Sequence, residues 1–137
     1  MFKTLMVPVD LAHPERLERA LAMAALVARA SEGEIHLVAV TMSAPTALAH
    51  SPEEFDAKLE AFAAEQGALR KVAMRAHTVL SNDPSIDLDG LLIETADALG
   101  ADLVVMATHV PGMAEYVFAS HGGHLAAHAK QSVLLVR

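Results

Sequence analysis

The sequence lacks cysteine and tryptophan altogether, and only 4% of its 137 residues are aromatic. A chain without thiols forms no disulfide and carries no thiol nucleophile, zinc ribbon or iron–sulfur cluster. Basic residues are also few, because ten Lys and Arg against 17 Asp and Glu leave a formal charge of −7. A surface with this balance repels phosphate backbones, so we expect neither general nucleic-acid binding nor binding to anionic membranes.

Long hydrophobic runs are missing as well. The longest purely apolar helical stretch covers residues 20–28 between two arginines, far short of a membrane span. The first ten residues show none of the three regions of a signal peptide. We therefore expect a cytoplasmic protein without membrane insertion. Its 53% hydrophobic residues suffice for one sizeable core, and the length predicts a single domain over residues 1–137.

Two kinds of apolar segment alternate along the chain. Short runs of aliphatic residues predict five buried strands, at residues 5–9, 35–40, 72–80, 103–107 and 132–136. Helical spacing predicts helices between them, the first ending at Gly33, the second near Gly67 and the third at Gly100. A loop at residues 108–120 precedes a short last helix. This alternation is typical of an α/β fold with a single open, doubly wound parallel sheet.

Ligands of such sheets bind at the carboxyl ends of the strands, where the strand order reverses. The candidate residues are therefore Asp10, after the first strand, and the segments 39–41, 81–84 and 107–122. The phosphate-binding P-loop, the Rossmann glycine signature and the Gly-x-Ser-x-Gly elbow are all absent from the sequence. Because no pair of general bases points to a shared site either, efficient catalysis is not expected.

Three segments resemble the universal stress protein family. They are residues 2–10 (FKTLMVPVD), residues 100–106 (GADLVVM) and the ending at 128–137 (HAKQSVLLVR). The resemblance covers the whole chain. It implies a five-stranded, Rossmann-like sheet of the adenine nucleotide α-hydrolase-like type, with strand order 3-2-1-4-5. It also implies dimerisation, commonly through the last strand, and a family divided into members that bind ATP and members that do not.

The nucleotide-binding members of that family carry the pattern Gly-x-x-Gly, nine residues, then Gly-Ser or Gly-Thr. This sequence departs from the pattern, because Ala107 and Ala119 replace the first and third glycines. The second glycine has no clear counterpart near Gly112, whereas Ser120 stands where a hydroxyl is expected. The segment resembles a branch with Ala-Ser/Thr-His-x-Pro at this place, whose members can still have a nucleotide site.

The resemblance implies that Asp10 and Val40 hold the nucleoside and that the phosphates are held largely by backbone. The ligand implied is ATP, or ADP or AMP, with or without Mg²⁺. The candidate nucleotide site then consists of Pro8, Val9, Asp10, Val40, Met106, Ala107, His109, Gly112, Ala119, Ser120, His121 and Gly122.

Several of these residues have simpler structural interpretations. Asp10 can accept hydrogen bonds from a ribose or an adenine, or can instead cap the loop that follows it. Ser120 can contact a phosphate or can serve as a helix N-cap. His109 can donate to a phosphate, in which case protonation makes binding pH-sensitive, or can bond a loop carbonyl.

Three histidines share one face of the predicted last helix. His121, His124 and His128 are spaced i, i+3 and i+7. Three imidazoles on one face can bind zinc or nickel weakly, but this spacing does not easily let all three converge on one ion. We therefore expect no metal site and assign these histidines to partly buried or interface positions.

The leading hypothesis is a homodimeric sensor or regulator that binds an adenine nucleotide. The alternative is a dimeric interaction module with a vestigial site, and a weaker alternative is a slow ATPase or an autophosphorylating protein. We expect a homodimer to form through Ser132–Val136, whose apolar character and terminal position suit pairing at a sheet edge. A regulatory protein partner is expected, and the sequence does not identify it.

Overall fold

Five parallel strands and four α-helices make up the computed structural model, which describes residues 1–82, 88–108 and 122–137. The strands are β1 (Thr4–Pro8), β2 (Glu34–Thr41), β3 (Met74–Leu80), β4 (Leu103–Ala107) and β5 (Ser132–Val136). The helices are α1 (Glu18–Ser31), preceded by a 3-10 turn at Pro14–Leu17, then α2 (Pro52–Arg70), α3 (Leu88–Leu99) and α4 (Gly122–His128). In these three described stretches, no helix combines the length and apolarity needed to cross a membrane.

The strands form one sheet in the order β3-β2-β1-β4-β5, and every neighbouring pair is parallel. This confirms the predicted fold class and strand order. The order reverses at β1, because β2 and β3 extend the sheet to one side and β4 and β5 to the other. The predictions for β4 and β5 match the structure residue for residue, whereas β3 begins at Met74, two residues later than predicted.

Each face of the sheet is covered by a separate hydrophobic cluster. On one face, α1 and α2 pack on the odd-numbered strand residues, including Leu5, Val7, Ile35, Leu37 and Val105. On the other face, α3 and α4 pack on even-numbered residues. That second cluster joins Met6, Val38, Val104 and Met106 of the strands to Leu92, Ala96 and Leu125 of the helices. Burial of both faces explains why the central strands are apolar throughout.

The ends of α1 and α2 differ from the prediction. The residue in the left-handed conformation after α1 is Glu32 (φ 53°), and the one after α2 is Lys71 (φ 56°). Gly33 is needed for a different reason, since a Cβ there would lie 2.5 Å from the carbonyl oxygen of Phe2. Gly67 lies inside α2. Only the third helix ends as predicted, at Gly100 with φ +66°.

Candidate functional site

The carboxyl ends of β1, β2 and β4 lie side by side, with β1 in the centre. The β1–β2 pairing reaches the end of β1, where Pro8 pairs with Val38, and the Val9 N–H donates to the Val38 oxygen at 2.8 Å. The β1–β4 pairing stops earlier, at Met6 with Val104. The two strands are therefore joined at their amino ends and unpaired at their carboxyl ends. The β1–β4 ladder thus ends early at the point where the strand order reverses, the usual ligand position in such folds.

Pro8 supplies a local reason for the early end of this ladder. Successive residues of a strand with two parallel neighbours direct their backbone groups alternately to one neighbour and the other. The N–H of Val9 points to β2, and the carbonyl of Thr4 accepts from Asp102, just before β4. Position 8 therefore faces β4, and proline has no N–H to donate. Pro8, which the sequence analysis included in the candidate site, therefore also interrupts the β1–β4 ladder.

Asp10 follows β1 directly at this edge. Its Oδ1 accepts a hydrogen bond from the Ala12 N–H at 3.0 Å, so the residue does cap its own loop. Its Oδ2 is shielded from solvent and has no hydrogen-bond partner in the described part of the chain. One carboxylate oxygen thus shapes the loop, while the other is left available for a donor. Both interpretations of Asp10 are compatible with this geometry.

The remaining described candidates contribute different surfaces. Val40 is partly exposed near the end of β2 and pairs with Val79 of β3. The side chains of Met106 and Ala107 are buried in the clusters on opposite faces of the sheet. Contact between a ligand and these two residues would therefore involve their backbone, as the sequence interpretation held. Gly122 is the first residue of α4.

Five predicted phosphate-contacting residues lie outside the described residues: His109, Gly112, Ala119, Ser120 and His121. The same holds for residues 83 and 84 of the predicted turn after β3. The described residues of the candidate site are therefore Pro8, Val9, Asp10, Val40, Met106, Ala107 and Gly122.

A side-chain link at the same edge was missed by sequence reasoning. The Oδ1 of Asn82 accepts hydrogen bonds from the Ser43 N–H at 3.0 Å and from the Ser43 hydroxyl at 2.6 Å. These bonds tie the loop after β2 to the loop after β3. Asn in a predicted turn signals local bonding, but its partner lies 39 residues away and could not be read from the sequence.

A polar cluster lies outside the candidate site, on the α3 side of β2 and β3. The Nε2 of His36 donates to the Glu34 carboxylate at 2.8 Å, which leaves Nδ1 to accept from Nε2 of His77 at 2.6 Å. The hydrogen bond from His36, followed by Arg75, lowers the pKa of Glu34. Burial, and then the neighbouring His36, lower the pKa of His77. The neutral form of the His77 imidazole is therefore favoured.

Over residues 1–82, 88–108 and 122–137, no group of three or more His, Asp or Glu side chains is placed to hold a metal ion.

Comparison with known proteins gives one consistent result. A sequence model described as "Universal stress protein family" matches residues 1–137. The chain is 29% identical to Universal stress protein G of Escherichia coli O157:H7, and the alignment covers 100% of both chains.

Solved structures share the fold. The universal stress protein from Archaeoglobus fulgidus in complex with dAMP has a TM-score of 0.71 at 18% identity, with 98% of each chain covered. A universal stress protein family protein from Arabidopsis thaliana with AMP bound has a TM-score of 0.64 at 17% identity, with 98% of this chain and 90% of that chain covered. At these identities the likeness establishes the architecture alone.

Proposed function

The chain belongs to the universal stress protein family, and we propose that it binds an adenine nucleotide at the carboxyl ends of β1 and β4. The observation that carries the proposal is the shielded Oδ2 of Asp10, an acceptor with no partner in the described chain. An unpaired buried acceptor costs about 1–3 kcal/mol. A ribose hydroxyl or an adenine amino group bound there would donate to it and offset that cost.

Two further observations support this ligand class. Pro8 has no N–H to donate, and the ladder to β4 ends before it, at the edge of the sheet where ligands of such folds bind. Relatives of the same fold have been solved with dAMP and with AMP. Backbone groups of Pro8, Val9 and Val40 would surround the nucleoside, with Asp10 as its hydrogen-bond acceptor.

The phosphate half of the proposal rests on the family pattern. His109, Gly112, Ala119, Ser120 and His121 would contact the phosphates together with the backbone of Met106, Ala107 and Gly122. The proposed ligand is ATP, or ADP or AMP, with Mg²⁺ as the counter-ion of a bound triphosphate. The Ala-Thr-His-x-Pro segment at residues 107–111 resembles a branch whose members can still have a nucleotide site without the usual glycines. The resulting protein is a homodimeric sensor or regulator.

The first test is thermal unfolding of nucleotide-stripped protein with Mg-ATP, AMP or GTP. At 100 times the dissociation constant, a ligand that binds only the folded state stabilises it by about 2.7 kcal/mol. For a chain of this length the melting temperature would rise by about 10 °C. A rise with ATP and AMP but not with GTP is expected. Absence of a rise at millimolar ATP and AMP would contradict the proposal and favour an interaction module with a vestigial site.

The variant Asp10→Asn tests whether the Asp10 carboxylate binds the nucleotide. Asparagine can still accept from the Ala12 N–H, but it loses the negative charge and one acceptor oxygen. A hydrogen bond to a charged group contributes about 1.5–3 kcal/mol, so AMP affinity should fall by roughly 10- to 100-fold, as measured by calorimetry. Asp97→Asn, near the far end of α3, is the matched control and should bind AMP like the wild type. Equal affinity of wild type and Asp10→Asn would remove Asp10 from the site.

Homodimerisation through Ser132–Val136 is the second part of the proposal. β5 is the last strand on its side of the sheet, and in the described structure it pairs only with β4. Leu135 is 40% exposed on this strand. An apolar strand with a free edge is a template for pairing with another strand, and a second copy would satisfy its backbone groups. The same interface would serve the alternative of an interaction module without a nucleotide.

A further inference from the structure

We propose that His124 of α4 accepts a phosphoryl group on its Nε2 atom, with Asp89 of α3 as the carboxylate that positions its ring. His124 is the third residue of α4, which follows β4, and Asp89 is the second residue of α3, which follows β3. Because both helices start from the carboxyl ends of parallel strands, the pair lies at the edge of the sheet that carries the proposed nucleotide site. That site would supply the donor, a nucleoside triphosphate, so this part of the inference rests on the proposed function.

The contact at Nδ1 leaves the lone pair of the His124 ring on Nε2. Nδ1 of His124 lies 2.8 Å from Oδ2 of Asp89. A carboxylate only accepts, so in the neutral ring the hydrogen resides on Nδ1 and the lone pair on Nε2. A carboxylate that accepts from the Nδ1–H of an imidazole orients the ring and stabilises the positive charge that forms when Nε2 reacts.

The two members of this pair differ in burial. Asp89 is buried, with 6% of its surface exposed, while the His124 side chain is 50% exposed. Leu125, next to His124, is buried in the cluster that includes Leu92 of α3, and this contact fixes α4 against α3. The carboxylate therefore acts from the interior, where an interaction between charges is stronger than in water. The ring edge that is turned away from Asp89 is the edge that a phosphoryl donor can reach.

His128 restrains the ring of His124 without using its Nε2. The two ring centroids are 4.1 Å apart, the ring planes differ by 25°, and Nδ1 of His128 lies 2.9 Å from the His124 carbonyl oxygen. Stacking covers a face of the His124 ring, whereas the Nε2 lone pair lies in the ring plane. Two other histidines show the contrast. Both nitrogens of His36 are hydrogen-bonded, and the carboxylate next to His13 belongs to the exposed Glu15.

The phosphoryl transfer balances with the donor as its only co-reactant. The Nε2 lone pair attacks the terminal phosphorus of the triphosphate and forms a P–N bond, while the bond from that phosphorus to its bridging oxygen breaks. The nucleoside diphosphate leaves with the electron pair of that bond. The ring keeps its hydrogen on Nδ1 and becomes positively charged, and the Asp89 carboxylate compensates this charge. A small phosphorylated molecule in solution would supply the same group, so both kinds of donor enter the test.

The two donors are Mg-ATP with a labelled γ-phosphate and potassium phosphoramidate, which needs no nucleotide site. Peptide mapping by mass spectrometry gives the rate of phosphorylation at each histidine, and stability of the label in alkali identifies phosphohistidine. With phosphoramidate, His124 should react about 10-fold faster than His50, an exposed histidine of the loop before α2, and Asp89→Asn should remove this advantage, since a hydrogen bond to a charged acceptor contributes more than one to a neutral acceptor. Asp89→Glu, which restores a carboxylate, should recover part of the rate.

The controls separate this proposal from the proposed function. His124→Gln should lose the alkali-stable label, and His50→Gln should keep it. Preferential labelling of His124 by either donor supports the proposal. Equal rates at His124 and His50 with phosphoramidate, together with no label on His124 from ATP, would overturn it. ATP binding is measured separately by calorimetry, so a failure to bind nucleotide is distinguished from a failure of the acceptor. If Asp89→Asn fails to fold, the comparison of His124 with His50 in the wild type remains decisive.

Discussion

At the scale of single residues, we expect His77 to contribute to the dependence of stability on pH. Its imidazole lies against His36, and the N–N distance of 2.6 Å leaves room for one hydrogen between them. Burial, followed by the neighbouring His36, lowers the pKa of His77 below its ordinary value of 6.5. Asp56 and Glu60 of α2 act in the opposite direction, and Arg75 adds to the lowering. The folded state therefore binds this proton less readily than the unfolded state does.

Stability should consequently fall on acidification. Below pH 6.5 the unfolded chain takes up a proton at His77 that the folded chain resists, so the free energy of unfolding decreases as the pH falls through this range. Above pH 6.5 both states are neutral at this position, and the effect vanishes. Urea unfolding at pH 7.5 and pH 5.5 should show a smaller loss for His77→Gln than for the wild type. His50→Gln, at an exposed histidine, should behave like the wild type. Identical losses in all three proteins would contradict this assignment.

Helix termination is decided at the scale of the element, and α2 shows how. The helix begins as its sequence predicts, because the Ser51 hydroxyl accepts from the Glu54 N–H at 3.1 Å and Pro52 occupies the first turn. It ends at Lys71, whose N–H bonds to the Gly67 carbonyl from a left-handed conformation. That conformation is about 1–2 kcal/mol less favourable for a residue with a Cβ. The helix is therefore stopped by a residue that is poorly suited to the position.

Replacing Lys71 by glycine should stabilise the protein. Glycine adopts this backbone conformation without steric cost, although it also increases the entropy of the unfolded chain. The net gain should be about 0.5–1 kcal/mol, or roughly 2–4 °C in melting temperature by calorimetry. Lys71→Ala is the matched control, since it removes the same charge and keeps the Cβ, and it should give no gain. A gain of equal size in both variants would assign the effect to the lysine charge.

At the scale of the whole molecule, we expect formation of the homodimer to depend on β5. If this strand pairs with its copy, Leu135 lies in the interface although it is exposed in the single chain. Leu135→Lys would place a charge on the pairing edge, as natural proteins do to block such contacts. Sedimentation velocity should then give a dimer for the wild type and a monomer for the variant. Leu26→Lys, at a 55% exposed position on α1, should remain dimeric. Loss of the dimer in both variants, or in neither, would move the interface away from β5.

The sequence by itself determined the class and layout of the fold. The runs at 103–107 and 132–136 are apolar, bounded by polar or turn residues, and coincide with β4 and β5, because burial on both faces selects such runs locally. Helix ends were predicted less well. Local preference placed the left-handed residue after α1 at Gly33, but Glu32 has that conformation. Gly33 is required because a side chain there would collide with the Phe2 carbonyl.

Tertiary structure alone decided which hydrogen-bond partners the polar side chains have. The sequence shows that Asp10 ends a strand, but whether its Oδ2 finds a hydrogen-bond partner among the described residues depends on what the other elements bring near it. Likewise, the spacing of His124 and His128 is local, whereas the carboxylate that fixes the tautomer of His124 comes from a helix 35 residues earlier in the chain, at Asp89. Periodicity and propensity act between near neighbours in sequence, while hydrogen-bond partners across elements are set only when the two clusters pack against the sheet.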